Sequence, residues 1–134
     1  MVGADASAII QACLSEADVR PLQSLDLIGP PLLWSEATSV IHELRWRGQI
    51  STELAATATK KLSILPIRAR RPASLYEEAV RIADRFGWAK TYDAEYVALA
   101  RLSRCRLLTI DARMAAAVAS LVEVMGPSDV ARWP

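Results

Sequence analysis

Histidine is all but missing from this chain of 134 residues; His42 is the single one. One imidazole cannot build a histidine metal cluster, and no nucleophile-elbow motif accompanies it to suggest a serine hydrolase. Cysteine is scarce too. Cys13 and Cys105 lie far apart with no C-x-x-C spacing, which argues against a zinc site or redox pair and makes each a small buried hydrophobe. No run approaches the roughly eighteen apolar residues a membrane span needs, so no membrane partner is expected. The N-terminus lacks the basic start and long apolar stretch of a secretory signal, and Asp5 would interrupt one, so the expected location is the cytoplasm. Neither charge sign dominates: 16 Lys+Arg face 15 Asp+Glu for a net charge of +1, and that balance says little about partners.

What is present is apolar and periodic. Hydrophobic residues make up 52% and charged residues 23%, a composition that folds rather than stays disordered. No linker, repeat or low-complexity tract divides residues 1–134, which are read as a single domain. Val2-Gly-Ala reads as a brief strand delivering Asp5, followed by a helix from Ser7 to about Ser15. A helical turn near Pro21 and the Gly29-Pro30-Pro31 breaker precede a helix over 32–47. Further helices are expected over 51–62, from Ser74 to Phe86, over 92–103 and over 112–119, with a last short one from Pro127 through Trp133. Strands are expected at 64–67, 106–110 and 122–125, with Arg68–Pro72 as a basic loop. Strands alternating with helices imply a three-layer α/β/α domain around a mainly parallel sheet of four to five short strands.

Four acids stand out within this frame. Asp5 and Asp111 each follow a short apolar strand, and parallel strands share one carboxyl edge, where ligands bind in such sheets. Asp5 taken alone fits a helix N-cap as well as a ligand. Glu36 lies at the edge of the buried stripe formed by Leu33, Ala37, Val40, Ile41 and Leu44. Helical periodicity turns Asp93 inward with Tyr96, Val97 and Ala100, and turns Glu95 to solvent. Carboxylates brought together raise one another's pKa. With no histidine or cysteine nearby, all-oxygen ligation by such a set points to Mg²⁺ or Mn²⁺.

The same residues carry a family resemblance. Val2-Gly-Ala-Asp5-Ala-Ser7-Ala-Ile9-Ile10, Pro31-Leu-Leu-Trp-Ser-Glu36-Ala-Thr-Ser-Val40, Thr91-Tyr-Asp93-Ala-Glu-Tyr-Val-Ala-Leu-Ala100 and Leu107-Leu-Thr-Ile-Asp111 follow in order along almost the whole chain. In this the chain resembles the PIN-domain ribonucleases, and within them the VapC-type toxins of bacterial toxin–antitoxin pairs. The resemblance implies a metal-dependent endoribonuclease with Asp5, Glu36, Asp93 and Asp111 as its catalytic acid quartet. Asp5 and Asp93 would be the principal metal ligands. Asp111 and Glu36 would bind through water, hold a second ion or orient the attacking water, and one ion or two both fit. Ser7 and Thr109 match small hydroxyl positions that steady carboxylates or a phosphate. The chain departs from some relatives after Asp111, where Ala112-Arg113 replaces a further acid. The resemblance also implies a homodimer and a small antitoxin whose tail lies along a groove near the acids.

An acidic centre repels RNA, so cations must supply attraction. Arg45, Arg47, Arg68, Arg70 and Arg71 are the candidates, with solvated surface as the alternative for each. Trp34, Trp46 and Trp88 are read as core or interface ahead of base-stacking residues. Two other functions compete: a PIN scaffold that binds RNA or protein without cutting, and a receiver-like phospho-accepting domain. The latter needs an acid pair at the first strand and a late lysine, and the chain offers only Asp5 and no such lysine.

Overall fold

The computed structural model describes all residues, Met1–Pro134. Its centre is a five-stranded sheet, parallel throughout, in the order β3-β2-β1-β4-β5. The strands are β1 (Val2–Ala4), β2 (Leu27–Gly29), β3 (Ile67–Ala69), β4 (Arg106–Leu108) and β5 (Val124–Met125). The helices are α1 (Ala6–Leu14), α2 (Leu32–Trp46), α3 (Thr52–Ile64), α4 (Leu75–Phe86), α5 (Tyr92–Leu102) and α6 (Ala112–Val118). Right-handed crossovers determine the layers. The chain steps from β1 through β2 to β3 in one direction, which puts α1, α2 and α3 on one face. It then crosses back from β3 to β4 and on to β5 in the other, which puts α4, α5 and α6 opposite. The α/β/α expectation is therefore met, with five strands. None of the helices is long and apolar enough to cross a membrane.

Both faces of the sheet are covered, and β1, β2 and the end of β4 are fully buried. One continuous cluster of 34 buried apolar residues runs through both layers. Gly3 matters here because α5 lies close on β1: a Cβ at Gly3 would sit 3.3 Å from Ala100 Cβ. The reversal in strand order falls beside β1, between the loop leading to α1 and the loop from β4 to α6. That switch point is where doubly wound sheets open a crevice.

Several expected boundaries shift. Helix α3 runs through Ile64, and the strand begins after Pro66 rather than before it. Proline forces the preceding residue out of helical geometry, and Leu65 is extended, with φ −60° and ψ 140°. Arg68 consequently lies in β3 and not in a loop. The segment after Pro127 forms a 3₁₀ turn over Pro127–Asp129, not a helix reaching Trp133, and Val130 is extended. Ser74 and Thr91 stand at the N-cap positions of α4 and α5 without a side-chain capping bond, whereas Ser51 accepts from Leu54 N–H at 3.0 Å.

Candidate metal centre at the carboxyl edge

Asp5 leaves the end of β1 and is almost fully buried. Burial pushes its pKa up, with Asp111 adding to the shift, while hydrogen bonds from Ser7, Thr109 and Ala8 oppose it. Ser7 Oγ donates to Asp5 Oδ1 at 2.6 Å and Thr109 Oγ1 donates to Oδ2 at 2.5 Å. The direction of both bonds is dictated by the backbone. Ser7 Oγ accepts from Ile110 N–H and Thr109 Oγ1 accepts from Asp111 N–H, so each hydroxyl has its proton free for Asp5. Ser7 and Thr109 thus favour the ionised, accepting form of the carboxylate and offset part of what burial costs it.

Capping and site chemistry are not alternatives in this fold. Asp5 Oδ1 also accepts from Ala8 N–H at 3.1 Å and caps α1. Asp111 caps α6 in the same way, its Oδ1 accepting from Arg113 and Met114 N–H at 3.0 and 3.1 Å. Strand, acid and helix follow one another twice, once on each side of the switch point. Each cap uses Oδ1; the second oxygen of Asp5 accepts from Thr109, and that of Asp111 is left to solvent.

Glu36 reaches the edge from α2 and is half-buried. Burial raises its pKa first, and Asp93 and Asp5 raise it further. Tyr96, buried on α5, donates its hydroxyl to Glu36 Oε2 at 2.5 Å and ties the two helical layers together across the end of the sheet. Removing this hydroxyl leaves a crowded carboxylate without its donor. Tyr96→Phe is expected to cost roughly 1.5–3 kcal/mol, the range for a hydrogen bond to a charged group. Chemical denaturation checks this, and a midpoint equal to the parent's contradicts it.

Helix α5 reverses one expectation. Glu95 is buried, at 7% exposure, whereas Asp93 is exposed. Every residue from Ala94 to Ala100 is buried, because α5 is sandwiched between the sheet and α4 and has no solvent face. Only its first turn projects past the sheet edge, carrying Tyr92 and Asp93 into the crevice. The periodicity that groups Asp93 with Tyr96, Val97 and Ala100 is right about the face but not about depth. Partial desolvation by its neighbours, and then the nearby Asp111, push the Asp93 pKa up. Burial, with Glu36 next, does the same for Glu95.

The structure thus gathers Asp5, Glu36, Asp93 and Asp111 at one edge, and adds Glu95. The set is all-carboxylate and mutually repulsive, as suits a hard divalent cation. As they stand, no three of these side chains converge closely enough to share one ion. Asp93 and Asp111 are exposed and have room to turn inward. Two cavities adjoin the acids. One of about 340 Å³ holds Asp93, Asp111, Arg113 and Trp88, and one of about 570 Å³ holds Glu36, Asp93, Lys90, Tyr92 and Trp88. A further hollow of about 590 Å³ between α2 and α3 contains no carboxylate.

None of the five arginines singled out from sequence lines the two acidic cavities. Arg47 pairs with Glu43 at 2.5 Å and Arg68 with Asp26 at 2.8 Å. Arg70 meets the Met1 sulfur, Arg71 lies over the Tyr76 ring, and Arg45 stands beside His42. The cations at the acids are Lys90 and Arg113. Arg113 lies in the Ala112-Arg113 segment singled out above as a departure from the pattern of the resemblance, which was the one available signal for it.

A doubly wound parallel sheet with carboxylates clustered at its switch point is the architecture of a PIN-like acidic-site protein. The fold agrees with the crystal structure of PAE2754 from Pyrobaculum aerophilum, with a TM-score of 0.72 over 96% of this chain and 90% of that one at 22% identity. In sequence, the chain is 30% identical over 115 residues to the VapC ribonuclease Mb0985 of Mycobacterium bovis, spanning 85% of this chain and 88% of that protein. The same figures hold for ribonuclease VapC9 of Mycobacterium tuberculosis. No protein-family model matches the chain. The chain belongs to the VapC ribonuclease family.

Proposed function

We propose that this protein is a metal-dependent endoribonuclease that hydrolyses RNA phosphodiester bonds, and that it is the toxin of a cytoplasmic toxin–antitoxin pair. The observation that carries the reading is the meeting of Asp5 and Asp111 with Glu36 and Asp93 at one sheet edge, in a chain of this family. Asp5 and Asp93 would hold Mg²⁺ or Mn²⁺, with Asp111 and Glu36 bound through water or serving a second ion. Such an ion polarises a phosphate and lowers the pKa of a bound water. The chain's own part is orientation and proton transfer. Ser7 and Thr109 hold Asp5 in place and favour its ionised form. Tyr96 fixes Glu36 through Oε2 and leaves Oε1 to accept the proton of the attacking water. Physiologically the partners are an RNA substrate, a second copy of the chain and a small inhibitory antitoxin.

The test is cleavage of total RNA by the purified chain. Cutting should stop in EDTA, return with Mg²⁺ or Mn²⁺, and accompany growth arrest when the chain is expressed alone. Cleavage indifferent to chelator refutes the metal assignment. RNA left intact in metal-replete buffer refutes the enzyme and favours a binding scaffold.

A further inference from the structure

The far end of the sheet carries the opposite charge. A cavity of about 510 Å³ opens there, lined by Arg101, Arg104 and Arg106, with Ala100, Leu121 and Val122 as its apolar wall. Val2 pairs with Arg106 at the amino ends of β1 and β4, so the sheet separates this cavity from Asp5 and Asp111. The end of α5 explains why three guanidiniums meet. Cys105 N–H donates to Ala100 O at 3.0 Å and Arg104 N–H to Arg101 O at 3.1 Å, the paired bonds of a Schellman motif. That turn takes the chain from α5 straight into β4 and leaves residues 101, 104 and 106 around one opening. Its central residue is Arg104, in the left-handed region at φ 53°. Glycine is the usual occupant of this position because a Cβ there is strained, so keeping an arginine costs stability. Neither Arg104 nor Arg106 has an ion-pair partner, unlike Arg47 and Arg68, which are tied to carboxylates. Arg101 reaches Glu78 only at 3.6 Å, while Arg81 holds that carboxylate at 2.5 Å. Glu123 is the one acid in the lining and pairs with none of them. Arg70 Nη1 touches Met1 Sδ at 3.4 Å and so brings a fourth guanidinium beside the wall that Met1 forms. The negative end of α5 amounts to about half a charge and accounts for one of these cations, not for four.

We propose that this cavity is a second ligand site and that it takes a small anion carrying a diphosphate group. A guanidinium meets phosphate oxygens with two parallel N–H donors, and neighbouring arginines on one turn match two linked phosphates better than one. Like charges crowded on that turn repel one another, and a multivalent anion between them removes the repulsion. The volume is that of a small-ligand pocket, and the apolar wall leaves room for the body of a nucleotide beside its phosphates. A nucleic-acid strand is disfavoured as occupant. The arginines ring one opening instead of forming the stripe a long backbone follows, and no aromatic ring lines the cavity for a base to stack on. The site shares no residue with the acidic edge, so it stands whether or not the chain cuts RNA.

Isothermal titration calorimetry of the full chain in EDTA, where no divalent ion can bridge an anion to the acids, tests this with sodium pyrophosphate, orthophosphate, ATP and an oligouridylate decamer. Pyrophosphate should bind at least about tenfold tighter than orthophosphate, since one further charge-assisted contact is worth about that factor. ATP binding tighter than pyrophosphate assigns the apolar wall to a nucleoside, and equal affinity assigns the site to free diphosphate. Arg104→Gly and Arg106→Gln should each weaken pyrophosphate about tenfold. Arg47→Gln, which removes the same charge from a guanidinium paired with Glu43 on α2, should not. Arg104→Gly should also melt no lower than the parent, because it relieves the left-handed strain, and its lost binding is then not a lost fold. Pyrophosphate bound no tighter than orthophosphate overturns the proposal. So does equal affinity of all three variants, the result expected of a solvated basic surface. Oligouridylate that binds as tightly as pyrophosphate, and weakens alike in Arg104→Gly and Arg106→Gln, overturns it in favour of a nucleic-acid surface.

Discussion

Asp5→Asn should reduce RNA cleavage by about a thousandfold or more while leaving the fold in place. A metal held at a carboxylate contributes several kcal/mol to stabilising the charge of a phosphoryl transition state, and each 1.36 kcal/mol is a factor of ten in rate. The substitution is close to isosteric, and its hydrogen bonds can be traced. Oδ1 of the amide still accepts from Ala8 N–H and Ser7 Oγ, so the cap of α1 survives. Nδ2 replaces the oxygen that accepted from Thr109, and Thr109 Oγ1, which accepts from Asp111 N–H, has a second lone pair for the new donor. The buried charge disappears, so the melting temperature in metal-free buffer at pH 7.5 should equal or exceed the parent's. Glu123→Gln, an exposed acid just before β5, is the matched control and should retain full activity. Initial rates on a labelled RNA, together with thermal melts, decide the matter. An Asp5→Asn chain keeping a tenth of parental activity would remove Asp5 from the centre of the mechanism.

How far the site was readable before the fold was in hand depended on whether one element or two had to be known. Asp5 and Asp111 were legible because each obeys a local grammar: a short, mostly apolar strand segment, an acid, a helix. The parallel sheet then makes their proximity automatic, although residues 5 and 111 are far apart in the chain. Glu36 was legible as a carboxylate at the edge of an apolar stripe, where only a compensating partner makes it tolerable. Glu95 was misplaced because periodicity assumes one wet face, and α5 has none. The arginines misled for a related reason. Charge clusters in sequence, such as Arg68, Arg70 and Arg71, reveal nothing about neighbours from other segments. Asp26 lies 42 residues from Arg68 and binds it through two nitrogens. Lys90 and Arg113 are far apart in sequence, and each comes beside the acids only through the fold, in the loop before α5 and at the start of α6. Trp88, read as core or interface, is half core: one face rests on Phe86 and its edge borders both cavities.

The pH dependence of stability should invert when metal is added. Asp5, Glu36, Asp93 and Glu95 all have folded-state pKa values above their ordinary ones, with burial the first cause in each. A carboxyl with a raised folded pKa keeps its proton more readily folded than unfolded. Between the two pKa values the native state therefore binds more protons, and stability falls as pH rises. In EDTA the protein should melt at a higher temperature at pH 5 than at pH 7.5. Asp18 does not cancel this trend. Its pKa is lowered, chiefly by the Arg20 backbone N–H, so its contribution changes only below the ordinary aspartate range. A divalent ion binds the deprotonated carboxylates and so stabilises the native state where repulsion is greatest. At a hundred times Kd the linkage is about 2.7 kcal/mol, or a rise of roughly 10 °C for a domain of this size. That rise should appear at pH 7.5 and shrink toward zero at pH 5, where protons compete for the same oxygens. Asp5→Asn should lose most of it. Melting temperatures that climb from pH 5 to 7.5 in EDTA, or a metal-induced rise of equal size at both pH values, would mean that the acids at the sheet edge do not act as one ion-binding group.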